Sequence, residues 1–173
     1  MKIDNKGLTL IEILIAVVIL AVALVPFVGI FTGGVTGGSS AQQITVGTTL
    51  AQDLMEEILS KSFDETLSNP TPPGDLGPEQ NENRSFSPPN DFDDVDDYNG
   101  YVDEPPEEVD GTPMAAQYDD FSRSVTVEYV TEDDFNIVAT EETPFKRITV
   151  IVSWEAGQQS VTLVTVPANY TRD

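Results

Sequence analysis

The chain has no cysteine and no histidine, and it carries only 8 Lys+Arg against 30 Asp+Glu in 173 residues. Without Cys or His there is no disulfide framework, thiol nucleophile, imidazole base or nitrogen–sulfur zinc site. The shortage of bases gives a formal net charge of −22 and a sequence pI near 4.1. Nucleic acid is thereby excluded as an expected partner, because binding to it rests on neutralising phosphates with Lys and Arg. The missing cysteines leave the redox compartment open, since an oxidising location does not oblige a protein to use disulfides. A phosphate-binding loop is also missing: the glycines between Gly29 and Gly38 lack both a preceding strand and a lysine.

What the chain does have is unevenly placed. From Ile13 to Phe31, ILIAVVILAVALVPFVGIF, there is no charged residue, and all the acids except Asp4 and Glu12 lie beyond residue 52. A membrane-spanning helix needs about 20 apolar residues at a rise of 1.5 Å to cross a core of roughly 30 Å. Leu8 to Phe31 supplies that length if Glu12 is accommodated, so a single span is expected. Lys2 and Lys6 precede it and no base follows before Lys61, which places the N-terminus in the cytoplasm and the acidic body on the far side. A removable signal peptide is the competing reading, with Gly33 to Ala41 as a small-residue cleavage region. Glu12 weighs against it, because an acid kept in an apolar segment is costly and usually functional.

The run Lys6-Gly7-Leu8-Thr9-Leu10-Ile11-Glu12, followed by ILIAVVILAVAL, resembles the prepilin-type processing signal of type IV pilins and type II secretion pseudopilins. The likeness covers roughly residues 1 to 60. It implies that a membrane-embedded prepilin peptidase cuts between Gly7 and Leu8, and that the new amino group of Leu8 is N-methylated. It also implies that Thr9, Leu10, Ile11 and Glu12 belong to the assembly segment. In that family the carboxylate matching Glu12 pairs with the N-terminal amine of a neighbouring subunit, and such a partner offsets much of the cost of an acid in lipid. An ordinary signal anchor, with Glu12 reaching to the interface, is the plainer account, but it explains neither Gly7 nor the Thr-Leu-Ile-Glu context.

Pro26 stands inside the apolar segment, as in many pilins, and the glycines up to Gly38 make residues 26 to 38 the expected weak part of the helix. This stretch is expected to bend or melt when a subunit leaves the bilayer for a filament. Residues 41 to 62 read as an amphipathic helix with Ile44, Ala51, Leu54, Met55, Ile58 and Leu59 on the apolar side.

Residues 63 to 120 hold most of the chain's 12 prolines and few regular apolar patterns. They read as a long connecting region, functional or partly disordered. The densest acidic feature runs from Asp91 to Tyr101, and between Asp91 and Glu142 the one base is Arg123. Asp93, Asp94, Asp96 and Asp97 are weak candidates for a calcium site, since hard cations take six to eight oxygens. The spacing does not fit an EF-hand: Gly100 at the turn position puts Val95 at the first ligand position and Pro106 at the twelfth. A solvated acidic loop is the competing expectation, with no cofactor at all. Phe92, Val95, Tyr98 and Tyr101, interleaved with these acids, suggest that the loop docks on the rest of the domain.

Period-two patterns follow. Phe121 to Thr131 places Val125, Val127 and Tyr129 on one face, and Phe145 to Trp154 does the same with Ile148, Val150, Val152 and Trp154. Ser160 to Val166 makes a third strand, joined to the second by a short Gly-containing connection that reads as a hairpin. The expected fold is α+β: a long N-terminal membrane-spanning helix packed on a C-terminal antiparallel sheet of at least three strands, pilin-like in plan. The expected organisation is a leader at 1–7, a transmembrane and assembly helix at 8–31, and a Gly-rich segment with the amphipathic helix at 32–62. The connecting region at 63–120 and the sheet at 121–173 complete it.

For catalysis, Lys61 or Lys146 with a serine, or a carboxylate pair, is conceivable. No spacing selects either, so the chain is expected not to be an enzyme. The expected role is a structural subunit of a pilus or pseudopilus, minor rather than major, because the acidic region would crowd like charge on a repeated lattice. Its expected partners are the prepilin peptidase, the membrane and other pilin or pseudopilin subunits. Its expected location is the inner membrane, with the C-terminal domain periplasmic or extracellular, and then the filament. The alternative is a signal-anchored acidic binding or sensing domain that does not polymerise.

Overall fold

The computed structural model describes residues 9–64, 71–85 and 91–169; the side chains at residues 25 and 29–39 lie outside that description. The chain divides into two compact units, Met1–Gln43 and Ile44–Asp173.

Helix α1 spans Leu10–Leu59 and contains Pro26. Its stretch Leu10–Val28 has a mean hydropathy of 3.0 and is long and apolar enough to cross a membrane. The apolar side chains there are exposed all round in the isolated chain, as expected of a segment whose surroundings are lipid or other helices. From residue 44 onward the character changes. Leu50, Ala51, Leu54, Met55 and Ile58 recur at helical spacing and are buried, whereas Gln52, Asp53 and Glu56 stay exposed.

Four antiparallel strands form one sheet in the order β1-β2-β3-β4: β1 Val102–Asp103, β2 Ser122–Tyr129, β3 Lys146–Trp154 and β4 Gln159–Thr165. Val125 pairs with Val150, and Val150 with Leu163. The alternation puts Val125, Val127, Ile148, Val150, Val152 and Trp154 into one core with the buried face of residues 50–58 of α1. Gly47 lets the helix approach closely: a Cβ there would stand 2.8 Å from Cζ3 of Trp154.

The α+β expectation is met. The differences lie at boundaries and in the connection. Helix α1 ends at Leu59 rather than residue 62, and Ser62 then bridges to Asp94. The sheet gains β1, whose two residues are too few to show a period. The connecting region also contains 3₁₀ turns at Asp96–Tyr98 and Ala116–Tyr118. Phe92, Val95 and Tyr98 are buried in the core and Tyr101 packs against it, so the acidic loop does dock.

Candidate functional site

Thr9, Leu10, Ile11 and Glu12 occupy the start of α1. Thr9 stands immediately before the helix, and its carbonyl accepts hydrogen bonds from the N–H groups of Glu12 (3.0 Å) and Ile13 (3.2 Å). The Glu12 carboxylate reaches back to the Thr9 N–H at 3.4 Å and to its hydroxyl at 3.5 Å. Thr-x-x-Glu is the spacing of a capping box, in which a carboxylate three residues into a helix satisfies an orphan N–H at its start. The contacts are long, and Glu12 is exposed, so its carboxylate remains available to a further partner. Gly7 and Leu8 lie outside the described residues. Pro26 lies within α1 and is exposed.

The four aspartates proposed as metal ligands do not act as one group. Asp93 is exposed, whereas Asp94, Asp96 and Asp97 are buried. A solvated loop is therefore incorrect for these three, because the 3₁₀ turn at 96–98 packs Val95 and Tyr98 into the core and carries its neighbours inward. Asp94 and Asp96 join Asp64, with one oxygen from each lying within 4.8 Å of the others. Lys146, fully buried at the start of β3, enters this group. Its ammonium donates to the Phe63 carbonyl (2.7 Å), to Asp64 Oδ2 (3.2 Å) and to Asp96 Oδ1. Tyr129 adds a hydroxyl that donates to Asp64 (3.2 Å). Burial, with Asp96 and Asp97 as like charges close by, pushes the Asp94 carboxyl up to about 8.

Asp97 turns instead toward Glu79 and Glu82, again with one oxygen of each within 4.8 Å of the others. Asp97 Oδ2 accepts the N–H groups of Asp93 (2.8 Å) and Asp94 (3.0 Å), and Glu82 Oε2 accepts that of Glu79 (3.1 Å). Burial, then the adjacent Glu82, push Glu79 up to about 8. Burial also pushes Asp97 up to about 6, with Glu82 adding to it against the two backbone donors.

A third network ties the connecting region to α1. Arg84 grips Glu57 with two hydrogen bonds (2.7 and 2.6 Å) and donates to Tyr101 and to the carbonyls of Glu107 and Glu108. Tyr98 donates to Glu57 (2.7 Å). Burial alone would raise the Glu57 carboxyl, but the Arg84 and Tyr98 hydrogen bonds outweigh it and hold it below its ordinary value. Arg123 grips Asp103 and donates to the Glu107 carbonyl (2.6 Å). Sequence reasoning passed over Asp64, Glu79, Glu82 and Arg84; Glu57, expected on the solvated face of α1, is instead half-buried against Arg84 and Tyr98. The one available signal was arithmetic: a base in so acidic a chain, such as Arg84, Arg123 or Lys146, has acids to choose from and is the natural centre of a network.

Residues 3–28 match the family model described as the prokaryotic N-terminal methylation motif. No curated protein and no solved structure matches the chain significantly. The N-terminal segment is thus a type IV pilin-like signal of the kind that prepilin peptidase processes, and it runs into an apolar helix suited to membrane anchoring, ahead of an α+β body.

Proposed function

We propose that the protein is a structural, non-catalytic subunit, a minor pilin or pseudopilin, of a type IV pilus or type II secretion-like filament. The observation that carries this reading is the methylation motif at 3–28 running straight into the apolar stretch Leu10–Val28. Prepilin peptidase cuts between Gly7 and Leu8 at the cytoplasmic face, and Leu8 is N-methylated. The subunit then waits in the inner membrane with its acidic domain outside the cytoplasm until it joins the filament.

Assembly proceeds by bundling of the apolar helices. The Glu12 carboxylate, exposed and only loosely held by Thr9, pairs with the Leu8 amine of a neighbouring subunit and sets the register. Thr9, Leu10 and Ile11 pack around that pair. Pro26 and the glycines after it are the place where the helix gives way on extraction.

Two measurements test this. Mass spectrometry of the protein from its native host gives a chain beginning at N-methylated Leu8; a chain retaining Met1 to Gly7, or cut near Ala41, rejects the reading in favour of an anchored or secreted acidic domain. Glu12→Ala leaves cleavage and insertion intact and lowers incorporation into filaments; normal filament levels remove the assigned role of Glu12.

A further inference from the structure

Filament assembly makes no use of the buried cluster around Lys146. The Lys146 side chain, at the start of β3, is completely buried, and its nitrogen lies 4.6 Å and 5.3 Å from the ring centres of Phe63 and Tyr129. It contacts two carboxylates, Asp64 at 3.2 Å and, more closely, Asp96. The two acids differ in their other partners. Asp64 also accepts hydrogen bonds from the Thr71 N–H (3.1 Å) and the Tyr129 hydroxyl (3.2 Å). Asp96 meets Lys146 through Oδ1, and its Oδ2 is buried with no N–H or hydroxyl donor from another element.

Asp94 supplies what Asp96 lacks. Its Oδ1 is held by the N–H groups of Asp96 (2.8 Å) and Asp97 (3.3 Å). Its Oδ2, like that of Asp96, is buried without such a donor, and a single proton held between the two carboxyls satisfies both oxygens. Burial, the adjacent charges of Asp96 and Asp97 and the hydrogen bond to Asp96 push the Asp94 carboxyl up to about 8, so that proton stays on at neutral pH. A lysine nitrogen, the carboxyl carbon it faces and an acid against that carboxyl's other oxygen therefore stand together in a dry site.

We propose that Lys146 and Asp96 condense into an intramolecular isopeptide bond, with Asp94 as the proton carrier. Two opposite charges in a dry interior are costly to keep, and passing one proton from the ammonium to Asp96 leaves an amine and a carboxylic acid. Nζ then retains two N–H groups for the Phe63 carbonyl and Asp64, and its lone pair turns to Cγ of Asp96. Asp94 donates to the Asp96 carbonyl oxygen and draws electrons from Cγ as Nζ attacks. The new C–N bond forms, Nζ gives up a second proton, and Asp94 delivers it to the departing hydroxyl as the C–O bond breaks. Of the three protons on the ammonium, two leave in one water and one remains as the amide N–H, so no oxidant, reductant or co-reactant is needed. Groups held in a fixed geometry react at high effective molarity, and a site closed to water disfavours the reverse hydrolysis.

The bond ties the 3₁₀ turn at 96–98 to β3 across 50 residues of chain. It is a covalent staple in a chain that has no cysteine to make one.

Intact-mass spectrometry of full-length protein, expressed without prepilin peptidase, purified in detergent and then denatured, tests this. The mass falls short of the sequence mass by one water, and a proteolytic digest contains a branched peptide joining Lys146 to Asp96. Lys146→Arg keeps the charge and shows the full sequence mass. Asp94→Asn, with its fold checked by Trp154 emission, forms the link about 100-fold more slowly or worse. A wild-type chain of full mass overturns the proposal, as does a branch at Asp64 or Asp94, or a mass deficit that persists in Lys146→Arg. An Asp94→Asn chain that links as fast as wild type overturns the role of Asp94. If that variant does not fold, the wild-type mass and branch point decide by themselves. Neither readout depends on leader cleavage or filament assembly, so failure here and failure of the filament reading are distinguishable.

Discussion

Lys146 is the residue with the most to lose. Its ammonium is completely buried, uses its donors on Phe63, Asp64 and Asp96, and lies 4.6 Å from the centre of the Phe63 ring. Replacing a buried ion pair wholesale can be neutral, but removing one partner strands the other and costs about 3–5 kcal/mol. Lys146→Met therefore lowers the urea midpoint severely; a midpoint within experimental error of the wild type would show that the buried pairs contribute nothing net. Gly47 sets two magnitudes against each other. Alanine is favoured over glycine inside a helix by about 0.5–1 kcal/mol, yet its Cβ would overlap Trp154, and overpacking costs about 1–3 kcal/mol. The clash wins: Gly47→Ala lowers the melting temperature and shifts the emission of Trp154, the only tryptophan in the chain.

At the scale of elements, α1 is one helix with two kinds of surface. Over Leu10–Val28 its side chains, Glu12 apart, are apolar around the helix, and over residues 44–59 only one face is. Both patterns were legible, because 3.6-residue periodicity and its absence each leave a mark on a sequence. The three long strands were legible for the same reason at period two, and each differs from its expected bounds by at most a residue or two. The turn between β3 and β4 carries a cost. Glu155 and Ala156 have φ of 55° and 54°, ahead of Gly157 at 82°, and the left-handed region costs a residue with a Cβ roughly 1–2 kcal/mol. Ala156→Gly relieves that and gives back part of the gain as chain entropy. A net stabilisation of about 0.5 kcal/mol is expected in urea melts, whereas Ala156→Val destabilises by about 1 kcal/mol or more.

For the whole molecule, the acids with raised values invert the usual dependence of stability on pH. Asp94 and Glu79 are raised to about 8 and Asp97 to about 6, above their ordinary values of 3.8 and 4.5. Acids with raised values hold their protons in the fold, so the stability they contribute is full below about pH 4 and is lost as pH climbs through about 6 and 8. Glu57 acts in the opposite sense, since its lowered value favours the fold above its ordinary 4.5 and loses that as pH falls. Stability in urea melts is expected to peak near about pH 5 and to fall toward pH 8. A stability that rises steadily from pH 5 to 8 would show that these acids titrate normally.

The sequence by itself determined the processing signal, the apolar helix and the three long strands. These are properties of neighbours in the chain: a motif of a few residues, a run of apolar side chains and two simple periods. It also placed Phe92, Val95 and Tyr98 against the core, through the same interleaving. Only the tertiary structure decided the fate of the aspartates beside them. Asp96 meets a lysine 50 residues away, Asp94 is close to Asp64, and Asp97 turns to Glu79 and Glu82 across a proline-rich connection. Whether a carboxylate is solvated, ion-paired or held protonated depends on what lies within about 4–6 Å in space, and no local pattern records that distance.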